Sequence, residues 1–324
     1  MWWISYRGES KHGVDNIGVF EDDGSPRKKH PLLLDTSPTA QPLHIARGFA
    51  LVGDDLYIAS AWRRDSHIAL YHRHDDTFRF KEVLVKTEQV AAMVHPFDVE
   101  LGDDGRIYIS CQDTNTVVSL VPKTRKPAPV AAHLRKQFPK GNFLPGTLVA
   151  SSHGRLPEYG DHRPLDVPAP LGLRVVLDKR GKPRHSVRGI IVHKKHLYVA
   201  DEAGDSVKVF NLKSGELMAR ITGRALKAPV HLIVHGETLY IGASGTGSIL
   251  ALDLSKPPSD ELKARVVIDG KLDAPSGFAV GPDGDIYVAE RKKQRVRRFS
   301  PEGKKKGTFI DNLPDMPEFL VYVP

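Results

Sequence analysis

The sequence is nearly free of cysteine. Cys111 is the single cysteine among 324 residues, so no disulfide can form within the chain, and the protein suits a reducing compartment. No segment approaches the 18 consecutive apolar residues of a transmembrane helix. The amino terminus, MWWISYRGES, lacks the basic and apolar regions of a signal peptide. We therefore expect a soluble, cytoplasmic protein that has no membrane partner.

Motifs that indicate a particular reaction are also lacking. The chain contains no HExxH or CxxC pattern, no glycine-rich phosphate loop and no Ser-His-Asp order. No organic cofactor is expected. A catalytic hypothesis has to rest instead on the places where the fold brings polar residues together.

Positive charge is in excess, with a formal net charge of +8 at pH 7. Basic residues cluster at Arg291–Arg298 and Lys304–Lys306, in a strand connection and a hairpin turn, where such side chains usually face solvent. No aromatic residues alternate with them to form a platform on which bases could stack. This distribution argues against nucleic acid as a partner.

What the sequence does contain is a repeated strand pattern. Residues Ala274–Phe299 read APSGFAVGPDGDIYVAERKKQRVRRF, in which apolar residues alternate at period two on either side of the turn Pro282–Asp285. A strand that reads apolar-Tyr-apolar-small, and close variants of it, recur at spacings of 40 to 54 residues. The copies begin at Trp2, Leu56, Ile107, Leu148, Leu197, Leu239 and Ile286. Seven such units predict an all-β fold, a seven-bladed β-propeller in which residues 1–324 form one domain.

Two irregular places refine this prediction. Residues Pro317–Pro324 match an innermost strand, whereas the chain begins one strand later, at Trp2, so we predict that the N- and C-terminal strands pair within one blade. In the fourth unit, Gly154–Pro170 holds four prolines and no apolar period. We predict that this stretch, residues 154–170, is a lid-like insertion over a mouth of the central channel. If the fourth unit is only an insertion, the propeller has six blades instead.

The phrases PSGFAVGPDGDIYVAE, RGIIVHKKHLYVADEAGDSVKVFNLKSGE and HPFDVELGDDGRIYIS resemble NHL-type repeats. They are also similar to repeats of gluconolactonase, senescence-marker and strictosidine-synthase-like propellers. The resemblance implies a site at the channel mouth, and several of these families bind calcium or zinc there. Glu318 resembles the glutamate at the start of the first blade in metal-dependent lactone hydrolases, but Arg188 and Ser276 stand where those enzymes carry asparagine or aspartate.

Alignment of the units identifies candidate site residues. The starts of the innermost strands hold Arg47, Asp98, Arg188, His231, Ser276 and Glu318, with His44 and His95 two or three residues earlier. The connections that follow the Tyr-containing strands hold Trp62, Gln112, Asp113, Asp201, Glu202, Glu290 and Arg291. For substrate binding we predict Arg47, Asp98, Arg188, Trp62, Gln112, Asp201 and Glu290.

Three chemistries follow from these residue types. Imidazoles from three blades, His44, His95 and His231, could bind one divalent metal such as zinc, whereas calcium would favour Glu318 and other carboxylates. Alternatively these side chains only hydrogen-bond along a wet channel. The guanidinium groups of Arg47 and Arg188 could engage a carboxylate or phosphate, or be held in structural ion pairs.

The sequence therefore leaves two functions open. The first is an enzyme, a hydrolase or lyase, that acts on a small polar or anionic substrate at the channel mouth, with His95, His231 and Glu318 as catalytic residues. Streptogramin-lyase-like propellers are a precedent of this kind. The alternative is a non-catalytic NHL-type scaffold that binds protein or RNA.

Overall fold

β-Strands dominate the computed structural model, which describes residues 1–8, 13–35, 43–62, 65–90, 93–121, 126–127, 147–150, 156–157, 164–165, 187–270 and 272–324. The strands are β1 (Trp2–Tyr6), β2 (Ile17–Phe20), β3 (Ala46–Val52), β4 (Asp55–Ser60), β5 (His67–His74), β6 (Thr77–Lys86), β7 (Pro96–Leu101), β8 (Ile107–Cys111), β9 (Thr116–Val121), β10 (Lys126–Pro127), β11 (Thr147–Ala150), β12 (Leu156–Pro157), β13 (Pro164–Leu165), β14 (Val187–His193), β15 (His196–Asp201), β16 (Ser206–Asn211), β17 (Leu217–Thr222), β18 (Pro229–His235), β19 (Thr238–Ala243), β20 (Ser248–Asp253), β21 (Arg265–Ile268), β22 (Pro275–Val280), β23 (Ile286–Glu290), β24 (Arg295–Phe299), β25 (Lys305–Ile310) and β26 (Pro317–Tyr322). A 3-10 turn, Arg291–Lys293, follows β23. Within the described ranges, no helix has the length and apolarity to cross a membrane.

Six antiparallel sheets form the blades of a β-propeller. In order around the axis, and from the innermost strand outwards, they are blade 1 (β26-β1-β2), blade 2 (β3-β4-β5-β6), blade 3 (β7-β8-β9-β10, with β11 also on β9), blade 4 (β14-β15-β16-β17), blade 5 (β18-β19-β20-β21) and blade 6 (β22-β23-β24-β25). The all-β propeller prediction is thus confirmed.

A buried apolar cluster fills each interface between neighbouring blades. Six clusters join blades 1 and 2, 2 and 3, 3 and 4, 4 and 5, 5 and 6, and 6 and 1. The largest side chains belong to blade 1, where Trp2 contacts Tyr287 of blade 6 at 4.2 Å between ring centroids and Trp3 contacts Phe78 of blade 2 at 5.8 Å. Because aromatic side chains bury the most apolar area, these contacts stabilise the ring where its two ends meet.

The two ends of the chain close the ring, as predicted. Strands β1 and β26 pair antiparallel, with Trp3 opposite Val321 and Ile4 opposite Leu320. The Met1 amino group donates to the carbonyl of Val323 at 2.9 Å. Pairing the first strand with the last removes two exposed sheet edges.

The number of blades is six, so the seven-blade prediction is wrong and the stated alternative is correct. The copy that begins at Leu148 does not start a blade of its own, because β11 pairs with β9 as an outer strand of blade 3. The innermost strands of blades 3 and 4 lie side by side, and the Ile190 N–H donates to Asp98 Oδ2 at 3.0 Å. No space for another blade remains between them.

The predicted lid, residues 154–170, falls mostly outside the described residues. Within it the structure gives only the short antiparallel pair β12 and β13, with Leu156 opposite Leu165. The position of this insertion over a channel mouth stays a prediction.

All six innermost strands carry a register irregularity at the same point. At each of these points, one extra residue of the innermost strand bulges against the neighbouring strand. The bulges create two successive rings of residues around the channel. The upper ring comprises Arg47, Phe97, Arg188, Val230, Ser276 and Glu318, and the lower ring comprises Gly48, Asp98, Gly189, His231, Gly277 and Phe319.

Glycine occupies every second position of the lower ring. A Cβ on Gly48 would lie 2.4 Å from Asp98 Oδ1, one on Gly189 would lie 2.8 Å from the Val230 carbonyl oxygen, and one on Gly277 would lie 2.4 Å from the Leu320 nitrogen. Because these glycines have no side chain, the innermost strands that contain them can approach the next innermost strand of the ring closely.

Candidate functional site

An apolar plug divides the central channel into two mouths. Phe97, Val230 and Phe319 are buried together on the axis, and Phe49 packs against them. The rings of Phe97 and Phe319 are 5.5 Å apart between centroids. Because all six innermost strands run in the same direction, the residues before the plug line one mouth and those after it line the other. We call these the arginine mouth and the acid mouth.

The arginine mouth is a pocket of about 280 Å³. Its polar lining consists of Arg7, Arg47, Arg188, Arg291, Glu202, His95, Gln112 and Ser244. Arg47 and Arg188 belong to the upper ring, whereas Arg7 and Arg291 directly follow the second strands of blades 1 and 6. Four guanidinium groups from four blades thus converge on one pocket.

A recurring backbone hydrogen bond holds the residues that follow the second strands. The N–H of Arg7 donates to the Met316 carbonyl at 3.0 Å, and the N–H of Arg291 donates to the Ala274 carbonyl at 3.1 Å. Gln112 makes the equivalent bond to the His95 carbonyl at 3.0 Å. These bonds tie each connection to the start of the innermost strand of its own blade and so fix where its side chain begins.

Glu318 lies beneath this pocket and gathers three of its arginines. Its carboxylate accepts hydrogen bonds from Arg47 at 2.7 Å and Arg291 at 2.9 Å, and Arg7 approaches to 3.7 Å. Its side chain is fully shielded from solvent. Burial alone would raise the pKa of Glu318, but the charges of Arg47, Arg291 and Arg7 outweigh burial and hold this pKa below its usual range.

Arg188 forms a separate ion pair with Glu202. Its Nε donates to Glu202 Oε2 at 2.7 Å, and its guanidinium lies 5.4 Å from the centre of the Phe97 ring. Arg47 flanks the same ring at 5.4 Å. Burial lowers the pKa of Arg47 to about 10, which leaves it cationic at neutral pH. The four arginines outnumber the two carboxylates among them, Glu318 and Glu202, by two.

His95 is the histidine of the arginine mouth. Its Nδ1 lies 3.4 Å from Asp113 Oδ1, and both side chains are nearly buried. A carboxylate beside an imidazole can fix the orientation of the ring. His95 is therefore placed to exchange protons with a molecule bound among the arginines.

The acid mouth is a cavity of about 310 Å³ on the far side of the plug. Its lining is mainly apolar and includes the carboxyl groups of Asp98 and Glu100. Burial raises the pKa of Asp98 to about 7, although the N–H groups of Ile190 and Val99 bind its carboxylate. Burial, together with the charge of Asp98, raises the pKa of Glu100 to about 8.

His231 belongs to the acid mouth, not to the arginine mouth. It is only 6% exposed, and its ring meets Phe319 edge-on at 4.8 Å and Phe278 at 5.3 Å. Burial lowers the pKa of His231 to about 4, so its imidazole is neutral at pH 7. Asp98 likewise lies on this side, so neither residue lines the pocket of Arg47 and Arg188.

Three residues predicted to bind substrate lie outside both cavities. Asp201 pairs with Lys208 at 2.5 Å, and both side chains are 1% exposed within blade 4. Glu290 pairs with Arg295 and Arg297 inside blade 6. Each of these carboxylates ends its strand, and because side chains alternate, the next residue, Glu202 or Arg291, is the one that lines the mouth. Trp62 is exposed and packs against His44 at 4.9 Å between ring centroids.

The predicted metal site is not formed. Among the residues that the structure describes, no three histidine, cysteine, aspartate or glutamate side chains lie close enough to hold a metal ion. His44 packs on Trp62, His95 lines the arginine mouth and His231 lies beyond the plug. Glu318, the acid suggested for calcium, is surrounded by arginines that would repel a cation. These residues therefore do not fit the zinc or calcium that the related propellers suggested.

Sequence reasoning missed Arg7 and Ser244 as lining residues. Both directly follow the second strand of their blade, as Gln112, Glu202 and Arg291 do. Aligning the units on the residue after this strand would therefore have identified them.

Comparison with known proteins agrees with this fold. An NHL repeat family model matches residues 272–299, which include β22, β23 and β24 of blade 6. No curated protein matches the sequence. A chain from the crystal structure of a nidogen/laminin complex is 13% identical, with a TM-score of 0.63 over 98% of this chain and 96% of that one.

Two further solved structures are similar at lower TM-scores. Streptogramin B lyase is 13% identical, with a TM-score of 0.48 over 83% of this chain and 70% of that one. The computationally designed Ika8 protein is 10% identical, with a TM-score of 0.47 over 91% of this chain and 69% of that one. The chain is thus a β-propeller by fold. Its resemblance to NHL-type propellers, predicted from the repeats, is confirmed by the match in blade 6.

Proposed function

We propose that this propeller binds a small organic anion at the arginine mouth. The observation that carries the proposal is the convergence of four arginines on a pocket of about 280 Å³, where two carboxylates of the described residues, Glu318 and Glu202, pair with them. A guanidinium offers parallel N–H donors that match a carboxylate or phosphate. The pocket volume lies near the lower end of the range for small-molecule sites, which suits a compact ligand.

The arginines have different parts in this proposal. Arg47 is almost wholly buried and bound to Glu318, so it supplies mainly a positive field. Arg7, Arg188 and Arg291 are 16% to 26% exposed at the pocket wall, where their guanidinium groups face a ligand. Glu318 acts as a positioning residue that keeps three guanidinium groups together, rather than as the catalytic acid predicted from the sequence.

An enzymatic role at this pocket would depend on His95. With Asp113 beside it, His95 is suited to accept or donate a proton while the arginines hold an anionic substrate, the chemistry of a hydrolase or lyase. His231 has no part in this reaction, because the apolar plug lies between it and the arginines. Gln112 adds a neutral hydrogen-bonding group to the same wall.

The scaffold alternative finds less support on the described surface. On the described surface, the exposed large hydrophobic residues Trp62, Leu101, Met218 and Val266 come from four different blades, and single exposed apolar residues of this kind are normal on a protein surface. In the basic run of blade 6, Arg295 and Arg297 pair with Glu290, and Arg298 pairs with Asp283 and Asp285. These pairings neutralise much of the charge that a nucleic acid would need.

Calorimetric titration with a panel of di- and tricarboxylates and sugar phosphates tests the proposal. We expect at least one of these anions to bind, and Arg188→Ala to weaken it by roughly tenfold or more, because a charge-assisted hydrogen bond is lost. Arg79→Ala, an equal charge change at an exposed position of blade 2, serves as the matched control and should leave affinity unchanged. If no anion binds, or if the two variants behave alike, the arginine mouth is not an anion site.

A further inference from the structure

The acid mouth holds two carboxyl groups for which the described residues supply no basic partner. In the part of the chain that the structure describes, neither Asp98 nor Glu100 forms an ion pair with lysine or arginine. Asp98 instead accepts the backbone N–H groups of Val99 and Ile190, at 2.9 and 3.0 Å. Two acids therefore face one cavity without a protein cation to balance them, in contrast to Glu318 on the other side of the plug.

A third polar group faces the same cavity. His231 is 6% exposed, lines the cavity, and its Nδ1 is buried without a hydrogen-bond partner among the described residues. An unpaired buried polar atom is costly, and a native structure usually pairs it with a ligand or water. The neutral imidazole can accept a hydrogen bond at one of its ring nitrogens.

Apart from His235, the remaining lining is apolar or aromatic. Phe49, Phe278 and Phe319 contribute rings, and aliphatic side chains such as Ile191 and Ile233 fill the spaces between them. Aromatic faces attract cations, and an apolar wall favours a ligand that carries hydrocarbon as well as charge. The combination differs from a metal site, which needs several oxygen ligands and water.

We propose that the acid mouth binds an organic cation, a protonated amine that carries a compact apolar or aromatic substituent. Asp98 and Glu100 would bind the ammonium group, and His231 would accept one of its hydrogens. The substituent would lie against the apolar lining of the cavity, which includes Phe49 and Phe319. This site is independent of the proposed anion site, because the plug separates the two and they share no lining residue.

The 2-phenylethylammonium ion is a suitable probe, with uncharged 2-phenylethanol as its matched control. Calorimetric titration at pH 8.5, where the carboxyl groups are largely ionised, should show the cation binding at least about tenfold more tightly than the alcohol. The other titratable groups that line this cavity are His231, His235 and Tyr322. Equal affinities, or no binding of the cation, would overturn the proposal.

Two variants locate the binding. Glu100→Gln should lower the affinity for the cation by about tenfold. Glu88→Gln, the same change at an exposed position next to blade 2, should leave this affinity unchanged. Should Glu100→Gln fail to fold, Ile191→Trp, which fills the cavity from blade 4, should block the probe while the thermal transition persists. The Arg188→Ala variant should bind the cation with wild-type affinity. Tighter binding by this variant, in which Glu202 has lost its arginine partner, would place the probe at the arginine mouth and contradict the inference.

Discussion

The two mouths of the channel are built from the same strands but differ in how their charge is balanced. At the arginine mouth, buried Glu318 neutralises part of a cluster of guanidinium groups. At the acid mouth, the donors to Glu100 and Asp98 among the described residues are backbone N–H groups. The pKa of a glutamate side chain therefore shifts in opposite directions at the two mouths, since the pKa of Glu318 is lowered and that of Glu100 is raised. The surroundings of a carboxyl group, rather than its burial alone, decide its charge state.

The difference also shows which part of the fold determines the chemistry of each mouth. The six bulges and the alternating glycines fix the backbone of both rings. The chemistry of the arginine mouth is set by side chains of the upper ring and by the residues that follow each second strand. The chemistry of the acid mouth is set by side chains further along the innermost strands. The two mouths thus differ in charge although they share one backbone arrangement.

The most severe way to break this comparison is to delete Pro317–Pro324. Strand β26 carries both Glu318 of the arginine mouth and Phe319 of the plug, so the deletion removes the partition and opens the ring. We expect a loss of cooperative unfolding, because the lost contacts are comparable to the total stability of a domain, about 5–15 kcal/mol. Thermal unfolding followed by circular dichroism measures this. A shortened chain that kept the wild-type melting temperature would show that the terminal strand does not close the ring.

Glu318→Gln should have the next largest effect. Removing one partner from a buried ion pair leaves uncompensated charge, and we expect a loss of about 3–5 kcal/mol in the free energy of unfolding. The stabilisation by Glu318 is present above the ordinary glutamate pKa of 4.5 and is lost as the pH falls through its lower folded value. Urea denaturation at pH 7 gives the loss, with the exposed Glu261→Gln as control. A loss of less than about 1 kcal/mol in the free energy of unfolding would mean that Glu318 does not stabilise the arginine cluster.

The same substitution at the acid mouth, Glu100→Gln, should act in the opposite direction. Because the pKa of Glu100 is raised in the folded protein, ionisation of this carboxyl group opposes folding. As far as this group is concerned, the wild-type protein is therefore most stable at low pH and loses stability as the pH rises through about 8. We expect Glu100→Gln to gain roughly 1 kcal/mol at pH 9 and less at pH 5. Denaturation midpoints between these pH values check the trend. A variant that is less stable than the wild type at pH 9 would indicate that Glu100 has a cationic partner.

Sequence repeats predicted much of this arrangement. Alignment of the units placed Arg47, Arg188, His95 and Gln112 together, and the structure finds all four in one pocket. The blade count was wrong because the spacing between the copies at Ile107 and Leu197 is about that of two units, and the segment Thr147–Ala150 resembles a strand of its own blade. Only strand pairing shows that this segment completes blade 3.

Side-chain direction is what alignment could not provide. A bulge shifts the alternation of an innermost strand by one residue, so Asp98 and His231 turn to the mouth opposite that of Arg47 and Arg188. Asp201 and Glu290 lie outside both cavities for a related reason, because moving one position along a strand places the side chain on the opposite face of the sheet. The plug depends on three apolar residues from three blades, Phe97, Val230 and Phe319, whose meeting is a property of the closed ring alone.

Pairing the first strand with the last has a consequence for how the protein is made. On the ribosome, β1 is synthesised before every blade, and its partner β26 follows about 310 residues later. At about 5–20 residues per second, the strand waits on the order of 15–60 s with one edge open. During that interval Trp2 lacks its aromatic neighbours Tyr287, Phe309 and Tyr322, so this nascent strand exposes a large apolar side chain that a chaperone could cover.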